Sequence, residues 1–381
     1  MSPRRRLAVI WTNFGPYHMA RIRALTPHFE ISAIELTSFE RLYRWPEKNA
    51  DGLVHTLRQG AWEDQNGLAV SMSLWRKLNA LKPRVVLVPG YATLPALCAA
   101  AWGRVHGAQT VLMSESNFGD HLHGRLSEAA KRALVALLFD SAVVGGRRAA
   151  SYLRLLGMPA DRIGYRYDVV DNEYFSGRAA QCRSSSGEHQ GAAPSPFFLY
   201  VGRLAPEKNL AVLLGAFAHY RTGGGKWQMV IVGDGPLAAP LRAQAENLGA
   251  AGAVIFAGHK SIDDLPRFYA GAGCFVLPSI REPWGLVVNE AMASRLPVIV
   301  SSRCGCADDL LERGSNGFIV DPTDEAELAG AMTRMSNLDC TERDQMGARS
   351  EEIIAGYSLQ RWADEVRRIA TVTHGTLDHD S

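Results

Sequence analysis

Long apolar runs are missing from this 381-residue chain, and no stretch approaches the ~20 residues that cross a bilayer. The run Leu7-Ala8-Val9-Ile10-Trp11 after Arg4-Arg5-Arg6 imitates a signal peptide, but it stops at Thr12-Asn13 and reads as a first buried strand. Paired cysteines are missing too. Cys98, Cys182, Cys274, Cys304, Cys306 and Cys340 are scattered with no Cys-x-x-Cys, and Cys304-Gly305-Cys306 is too tight for a zinc ribbon. Reduced thiols and a cytoplasmic protein are expected. There is little net charge (+2) and no basic run with interleaved aromatics, which argues against nucleic acid as a partner. Asp-x-Asp occurs only as Asp378-His379-Asp380, among terminal residues where order is not expected, so no metal is implied. Gly223-Gly224-Gly225-Lys226 is followed by Trp227 where a phosphate loop needs Ser or Thr, which excludes an NTPase of that type.

What is present is an ordinary globular composition, 47% hydrophobic and 21% charged, over a length that suggests two domains. The small net charge hides an asymmetry. Residues 1–176 carry net +7 (22 basic against 15 acidic) and residues 177–381 carry net −5 (19 against 24). A basic first half suits an anionic partner such as membrane phosphate, a phosphorylated acceptor or nucleic acid; a solvated surface fits equally well. The stretch Arg125 to Phe139 is apolar along one face with basic residues near its start. Peripheral contact with the inner face of a membrane is open there, but burial against a sheet is the favoured reading.

The first half alternates strands and helices. Leu7–Trp11, Ile31–Leu36, Val85–Val88, Thr110–Met113 and Ala142–Val144 read as strands; Tyr17 to Leu25 and Leu126–Phe139 read as helices. Residues 177–196, with Ser184-Ser185-Ser186-Gly187, Gly191-Ala192-Ala193-Pro194 and Pro196, read as a linker. The alternation then restarts, with strands at Phe197–Val201, Met229–Val232, Val254–Phe256, Cys274–Leu277 and Val298–Val300, and a short sixth near Ile319–Asp321. Helices between them include Asn209–Arg221, Pro236–Leu248, Leu265–Ala270 and Leu286–Ala293. The expected fold is α/β, with two parallel-sheet units facing across a cleft and ligands outside the carboxyl ends of the strands.

Two stretches carry candidate chemistry. Gly202-Arg203-Leu204-Ala205-Pro206-Glu207-Lys208-Asn209 leaves a strand and opens a helix; two cations beside a helix start suit a diphosphate, and a solvated surface loop is the plain alternative. Pro278-Ser279-Ile280-Arg281-Glu282-Pro283-Trp284-Gly285-Leu286 also runs from a strand into a helix, where backbone N–H groups bind hydroxyls or anions. Glu282 and Glu290 are eight residues apart, ~12 Å along a continuous helix. That is too far for a retaining glycosidase pair at ~5 Å and suits hydroxyl acceptors for two ends of one ligand. Glu290 is flanked by Val287, Val288, Ala291 and Met292, and a buried carboxylate needs a partner. Gly233-Asp234-Gly235-Pro236 lacks the third glycine of a dinucleotide fingerprint and reads as a tight strand-to-helix turn.

Gly202-Arg203-Leu204 with Glu207-Lys208, then Gly233-Asp234-Gly235-Pro236, Gly258, Glu282-Pro283-Trp284-Gly285 and Glu290-Ala291, together resemble the family 4 retaining glycosyltransferases of GT-B fold (glycosyl transferases group 1). The resemblance covers most of residues 197–325; the first half is similar in layout alone. It implies two Rossmann-like domains. An acceptor domain would span 1–176 and a nucleotide-sugar donor domain 197–356, with a helix within 357–381 crossing back to the first. Arg203 and Lys208 would neutralise the donor diphosphate, and Glu290 would hold the ribose hydroxyls. Glu282 and the N–H groups of Trp284, Gly285 and Leu286, after Pro283, would bind the sugar and diphosphate. Gly258, His259 and Lys260 would meet the nucleobase, and Gly15 would approach the phosphates and acceptor. The implied reaction is retaining transfer of a sugar from a nucleotide-diphosphate sugar, a UDP-sugar favoured, to a hydroxyl of a glycan, a lipid-linked intermediate or a small molecule, without metal or cofactor. A nucleotide-sugar epimerase or a non-catalytic nucleotide-sugar binding protein is the alternative. Relatives place a His-Asp pair after the strand corresponding to Thr110–Met113, where this chain has Ser114-Glu115-Ser116-Asn117. His121 is then the acceptor-side catalytic candidate, with Glu115 and His18 beside it.

Overall fold

The computed structural model describes residues 4–41, 52–116, 125–185 and 196–371. Among them the chain forms two compact units. One runs up to Val170 and resumes at Leu359, and the other is Asp171–Ser358.

The first unit holds a seven-stranded sheet of β1 (Arg5–Trp11), β2 (Phe29–Phe39), β3 (Val54–Ala61), β4 (Val85–Pro89), β5 (Gln109–Ser114), β6 (Ser141–Val144) and β7 (Ile163–Gly164), in the order β3-β2-β1-β4-β5-β6-β7. Every pairing is parallel. Strands buried on both faces need unbroken apolar sequence, and Leu7 to Ile10 and Val86 to Val88 are fully buried. The expected strands are all found. β3 and the two-residue β7 are additional: β3 is an edge strand buried only at its ends, Val54 and Ala61, and part-exposed or exposed between them. Helix Leu359–Ile369 belongs to this unit. It buries Trp362, Ala363, Val366 and Ile369, and Trp362 donates to the Arg21 carbonyl at 3.3 Å. Helix Arg125–Leu138 buries Val135 but leaves Ala129, Ala133, Ala136 and Leu137 exposed, so burial against the sheet accounts for only part of its apolar surface. Among the described residues no helix is long and apolar enough to cross a membrane.

The second unit holds a six-stranded parallel sheet of β8 (Phe197–Val201), β9 (Gln228–Val232), β10 (Val254–Gly258), β11 (Cys274–Leu277), β12 (Val298–Ser301) and β13 (Gly317–Val320), in the order β10-β9-β8-β11-β12-β13. Strand order reverses between β8 and β11, the switch point beside which open parallel sheets bind ligands. The expected linker needs correction. Its residues 177–185 are the end of a helix, Asn172–Ser185, which buries Phe175 and Ala179. Phe175 packs edge-on to Tyr269, with ring centroids 6.1 Å apart. Residues 186–195 lie outside the described residues. The polar composition there masked a helix held by one apolar stripe.

Gly233 and Gly235 do more than turn the chain after β9. A Cβ on Gly233, at φ +143°, would lie 1.8 Å from the Gly202 carbonyl oxygen, and one on Gly235 would lie 2.5 Å from that of Leu204. The glycines let the β9 loop lie directly on the cation-bearing β8 loop, where Leu204 N–H donates to the Asp234 carbonyl at 2.9 Å. Gly233→Ala is therefore expected to cost about 2–4 kcal/mol of stability, read by chemical denaturation.

Candidate functional site

The β8 and β11 loops interlock. After Gly202 the β8 loop makes a 3-10 turn, Pro206–Lys208, which brings Lys208 toward β11. The Lys208 ammonium pairs with the Glu282 carboxylate, both mostly buried (side chains 18% and 11% exposed). Ser279 Oγ donates to the same carboxylate at 3.2 Å. The Ile280 and Arg281 N–H groups donate to the Glu207 carbonyl at 3.0 and 3.4 Å. Arg203 pairs with Glu207, so both expected diphosphate cations carry a carboxylate partner in this structure. The Arg203 Nε is buried without a hydrogen-bond partner. The Tyr200 hydroxyl supports the turn from beneath by donating to the Arg203 carbonyl at 3.0 Å. Burial, then the nearby Glu282 and Glu207 carboxylates, hold it well above the usual phenol range.

A third loop closes the assembly. Past β12, Gly305 N–H donates to the Glu282 carbonyl at 2.9 Å and Cys306 N–H to the Trp284 carbonyl at 3.2 Å. Any Cβ on Gly305 would sit 1.7 Å from the Pro283 carbonyl oxygen. Cys304-Gly305-Cys306 is thus a backbone cradle beneath Glu282-Pro283-Trp284, with both thiols buried. Spacing rules exclude zinc for this motif but give no hint of the cradle.

Gly285, at φ +107°, turns the chain into helix Leu286–Ala293. The Trp284, Gly285 and Leu286 N–H groups make no hydrogen bond within the described residues and remain available at a helix start. The Trp284 side chain points inward. Its Nε1 donates to Asn289 at 2.9 Å, and its ring lies 5.7 Å from Tyr357. Glu290 is fully buried, and the Tyr269 hydroxyl donates to its Oε2 at 2.8 Å. It presents no surface to solvent in this conformation. Pro283 lies between Glu282 and the open N–H groups. Gly258, at φ +72°, ends β10, and its carbonyl accepts from Gly233 N–H at 2.9 Å. His259 beyond it is exposed and Lys260 half-exposed.

In the first unit, Gly15 N–H donates to His18 Nδ1 at 2.9 Å, so His18 caps its own helix, and its ring packs 4.6 Å from Trp11. His121 lies outside the described residues. Glu115 is half-buried at the carboxyl end of β5 and sits beside Asp168, which sequence reasoning did not select. Asp168 is buried, next to Tyr167. The Tyr167 hydroxyl accepts from Trp11 Nε1 at 3.0 Å, and its ring lies 4.8 Å beneath the Arg21 guanidinium. Burial, then the Glu115 charge, push the Asp168 carboxyl well above its usual range, partly offset by Arg21. Nothing in the sequence near Asp168 marks this cluster, which forms from three separate strand ends and a helix. Among the described residues no three His, Cys, Asp or Glu side chains gather as metal ligands.

Two stability tests follow. Tyr269→Phe removes a donor from a buried carboxylate and is expected to cost about 2 kcal/mol in urea denaturation. A carboxyl whose folded pKa is raised binds its proton more tightly in the native state, so stability falls as pH rises from about 3.8 toward the folded value. Asp168→Asn is therefore expected to gain thermal stability over the wild type as pH rises through that window; a constant difference at all pH values contradicts it.

Comparison with known proteins places this geometry. Residues 185–353 match the family described as Glycosyl transferases group 1. The alpha-D-kanosaminyltransferase of Streptomyces kanamyceticus is 30% identical over 241 residues, covering 63% of this chain and 60% of that protein. The sulfoquinovosyl transferase SQD2 of Arabidopsis thaliana is 30% identical over 247 residues, covering 62% and 44%. The D-inositol 3-phosphate glycosyltransferase of Acidothermus cellulolyticus is 39% identical over 147 residues, covering 36% and 32%. The chain thus spans between about a third and three fifths of the length of these curated relatives. Among solved structures, Anabaena HepE in complex with UDP superposes with TM-score 0.73 at 17% identity, over 95% of this chain and 98% of that one. Sucrose-phosphate synthase from Thermosynechococcus elongatus gives TM-score 0.75 at 17% identity, over 96% and 98%. Residues 185–353 thus match the glycosyl transferases group 1, and the two parallel Rossmann-like sheets, superposing on solved structures over 95–96% of the chain, give it the GT-B fold.

Proposed function

We propose that this protein is a retaining glycosyltransferase that moves a sugar from a nucleotide-diphosphate sugar to a hydroxyl acceptor in glycan or glycoconjugate biosynthesis. The observation that carries the reading is the interlocked edge of the second unit. Lys208, Arg203, Glu282 and the open N–H groups of Trp284 to Leu286 converge where the strand order reverses. A UDP-sugar is the favoured donor, because the structurally similar HepE binds UDP and UDP-glucose. GDP is the competing nucleotide, since a relative 28% identical is named as GDP-mannose-dependent.

The leaving group is a nucleotide diphosphate anion, and positive charge fixed before the reaction stabilises it as it departs. Arg203 and Lys208 supply that charge by exchanging part of their carboxylate contact for phosphate oxygens. Glu282, anchored by Ser279, then accepts sugar hydroxyls. On this reading Gly258, His259 and Lys260 meet the nucleobase. Glu290 can meet a ribose only if its buried contact with Tyr269 opens. In the closed state it fixes the helix that presents the N–H groups. Glu115, with Gly15 and His18, is the acceptor-side candidate within the first unit.

Lys208→Met is expected to slow sugar transfer by about two orders of magnitude, near 3 kcal/mol. The anomeric configuration of the product, read by NMR, is expected to match the donor's, and inversion contradicts the retaining assignment. Activity is expected to persist in EDTA. Donor consumed without a glycoside would favour an epimerase, and nucleotide binding without turnover over a broad acceptor panel would favour a binding protein.

A further inference from the structure

Asn209 stands at the start of helix Leu210–Thr222 in the left-handed region, at φ +59° and ψ +35°. Glycine and asparagine adopt that conformation at little cost. An asparagine at a helix start normally turns its side chain onto its own helix and caps the open N–H groups, which is worth about 1 kcal/mol. Asn209 does not: its side chain makes no cap bond. Its Nδ2 instead donates to two carbonyls in other loops, Pro278 at 3.2 Å and Pro322 at 2.7 Å. Pro278 directly follows β11 and opens the loop that carries Ser279 and Glu282. Pro322 lies just past β13, beyond β11 and β12 in the sheet. One amide, using both of its protons, therefore ties the end of the β8 loop to loops from two other strands.

Its neighbours explain what the tie holds. The residue before it, Lys208, pairs with Glu282, and Glu207 accepts the Ile280 and Arg281 N–H groups. Those contacts fix the near side of the β11 loop only while the β8 and β11 loops keep their spacing. The long Lys208 chain can follow such drift, but the two backbone hydrogen bonds to Glu207 cannot. Asn209 is the short, planar link that sets the spacing. Glycine supplies the backbone geometry but no donor. Aspartate supplies the geometry but turns an acceptor toward two carbonyl oxygens.

The geometry points to Asn209 as a positioning residue for donor binding: its carboxamide latches the β8, β11 and β13 loops and holds Lys208 and Glu282 in register. In its functional consequence the latch rests on the nucleotide-sugar reading above; its structural part stands apart from it. The test pairs site-resolved amide hydrogen exchange with calorimetric titration of UDP, on the full chain, for wild type, Asn209→Gly and Asn209→Asp. Both variants keep a backbone-compatible residue, so loss of folding in one leaves the other to decide. Exchange is expected to speed up at Ile280 and Arg281 in both variants, with core amides of β8 and β11 unchanged. UDP affinity is expected to fall about tenfold, the scale of one lost hydrogen bond. Unchanged protection at Ile280 and Arg281 overturns the latch whether or not nucleotide binds. Faster exchange with wild-type UDP affinity overturns its role in donor binding. A wild type that binds no UDP counts against the UDP-donor reading alone, and the exchange arm still decides the latch.

Discussion

The pairing of Lys208 with Glu282 is the contact around which the second unit's carboxyl edge is arranged. Both side chains are mostly buried, so removing either leaves an uncompensated charge, while keeping both demands close geometry. That demand explains residue choices far apart in sequence. Gly233 must be glycine so that the β9 loop can lie on the β8 loop, and Gly305 so that the β12 loop can lie under Pro283. Asn209 must adopt a left-handed backbone and still donate twice. The result is a rim of paired charges and backbone N–H groups held in place by the fold itself.

The first unit uses the same sheet order for a different kind of edge. Trp11, Tyr167 and Arg21 stack into a buried platform, and Glu115 rises from it beside Asp168. Two carboxyls this close do not both ionise readily, and one buried guanidinium offsets only part of their charge.

Much of the fold was legible in the sequence because parallel strands covered on both faces must be continuously apolar. Phe197–Val201 and Cys274–Leu277 coincide with their expected bounds for that reason. β3 was missed because an edge strand need not be continuously apolar and carries Arg58 and Gln59, and β7 because it is only two residues long. Helix Asn172–Ser185 was missed in part because its serine-rich end resembles a linker. At the candidate site, cations and carboxylates could be picked out by motif, and the apolar neighbours of Glu290 foretold its burial. Their pairing could not be read. Lys208 finds Glu282 across 74 residues, and Tyr269 reaches Glu290 from a different helix. Of the Asp168 cluster only Glu115 could be singled out, since Asp168, Tyr167, Trp11 and Arg21 look like ordinary strand-end or helix residues.

The central claim is that the second unit holds a nucleotide-diphosphate sugar. Calorimetric titration of UDP, GDP and ADP into the wild type and into Glu282→Gln, with the matching sugar conjugates, tests it most directly. The account predicts saturable binding of one nucleotide, UDP before the others, with its sugar conjugate losing more affinity than the free nucleotide in Glu282→Gln. Absence of binding by all three nucleotides and their conjugates would contradict it.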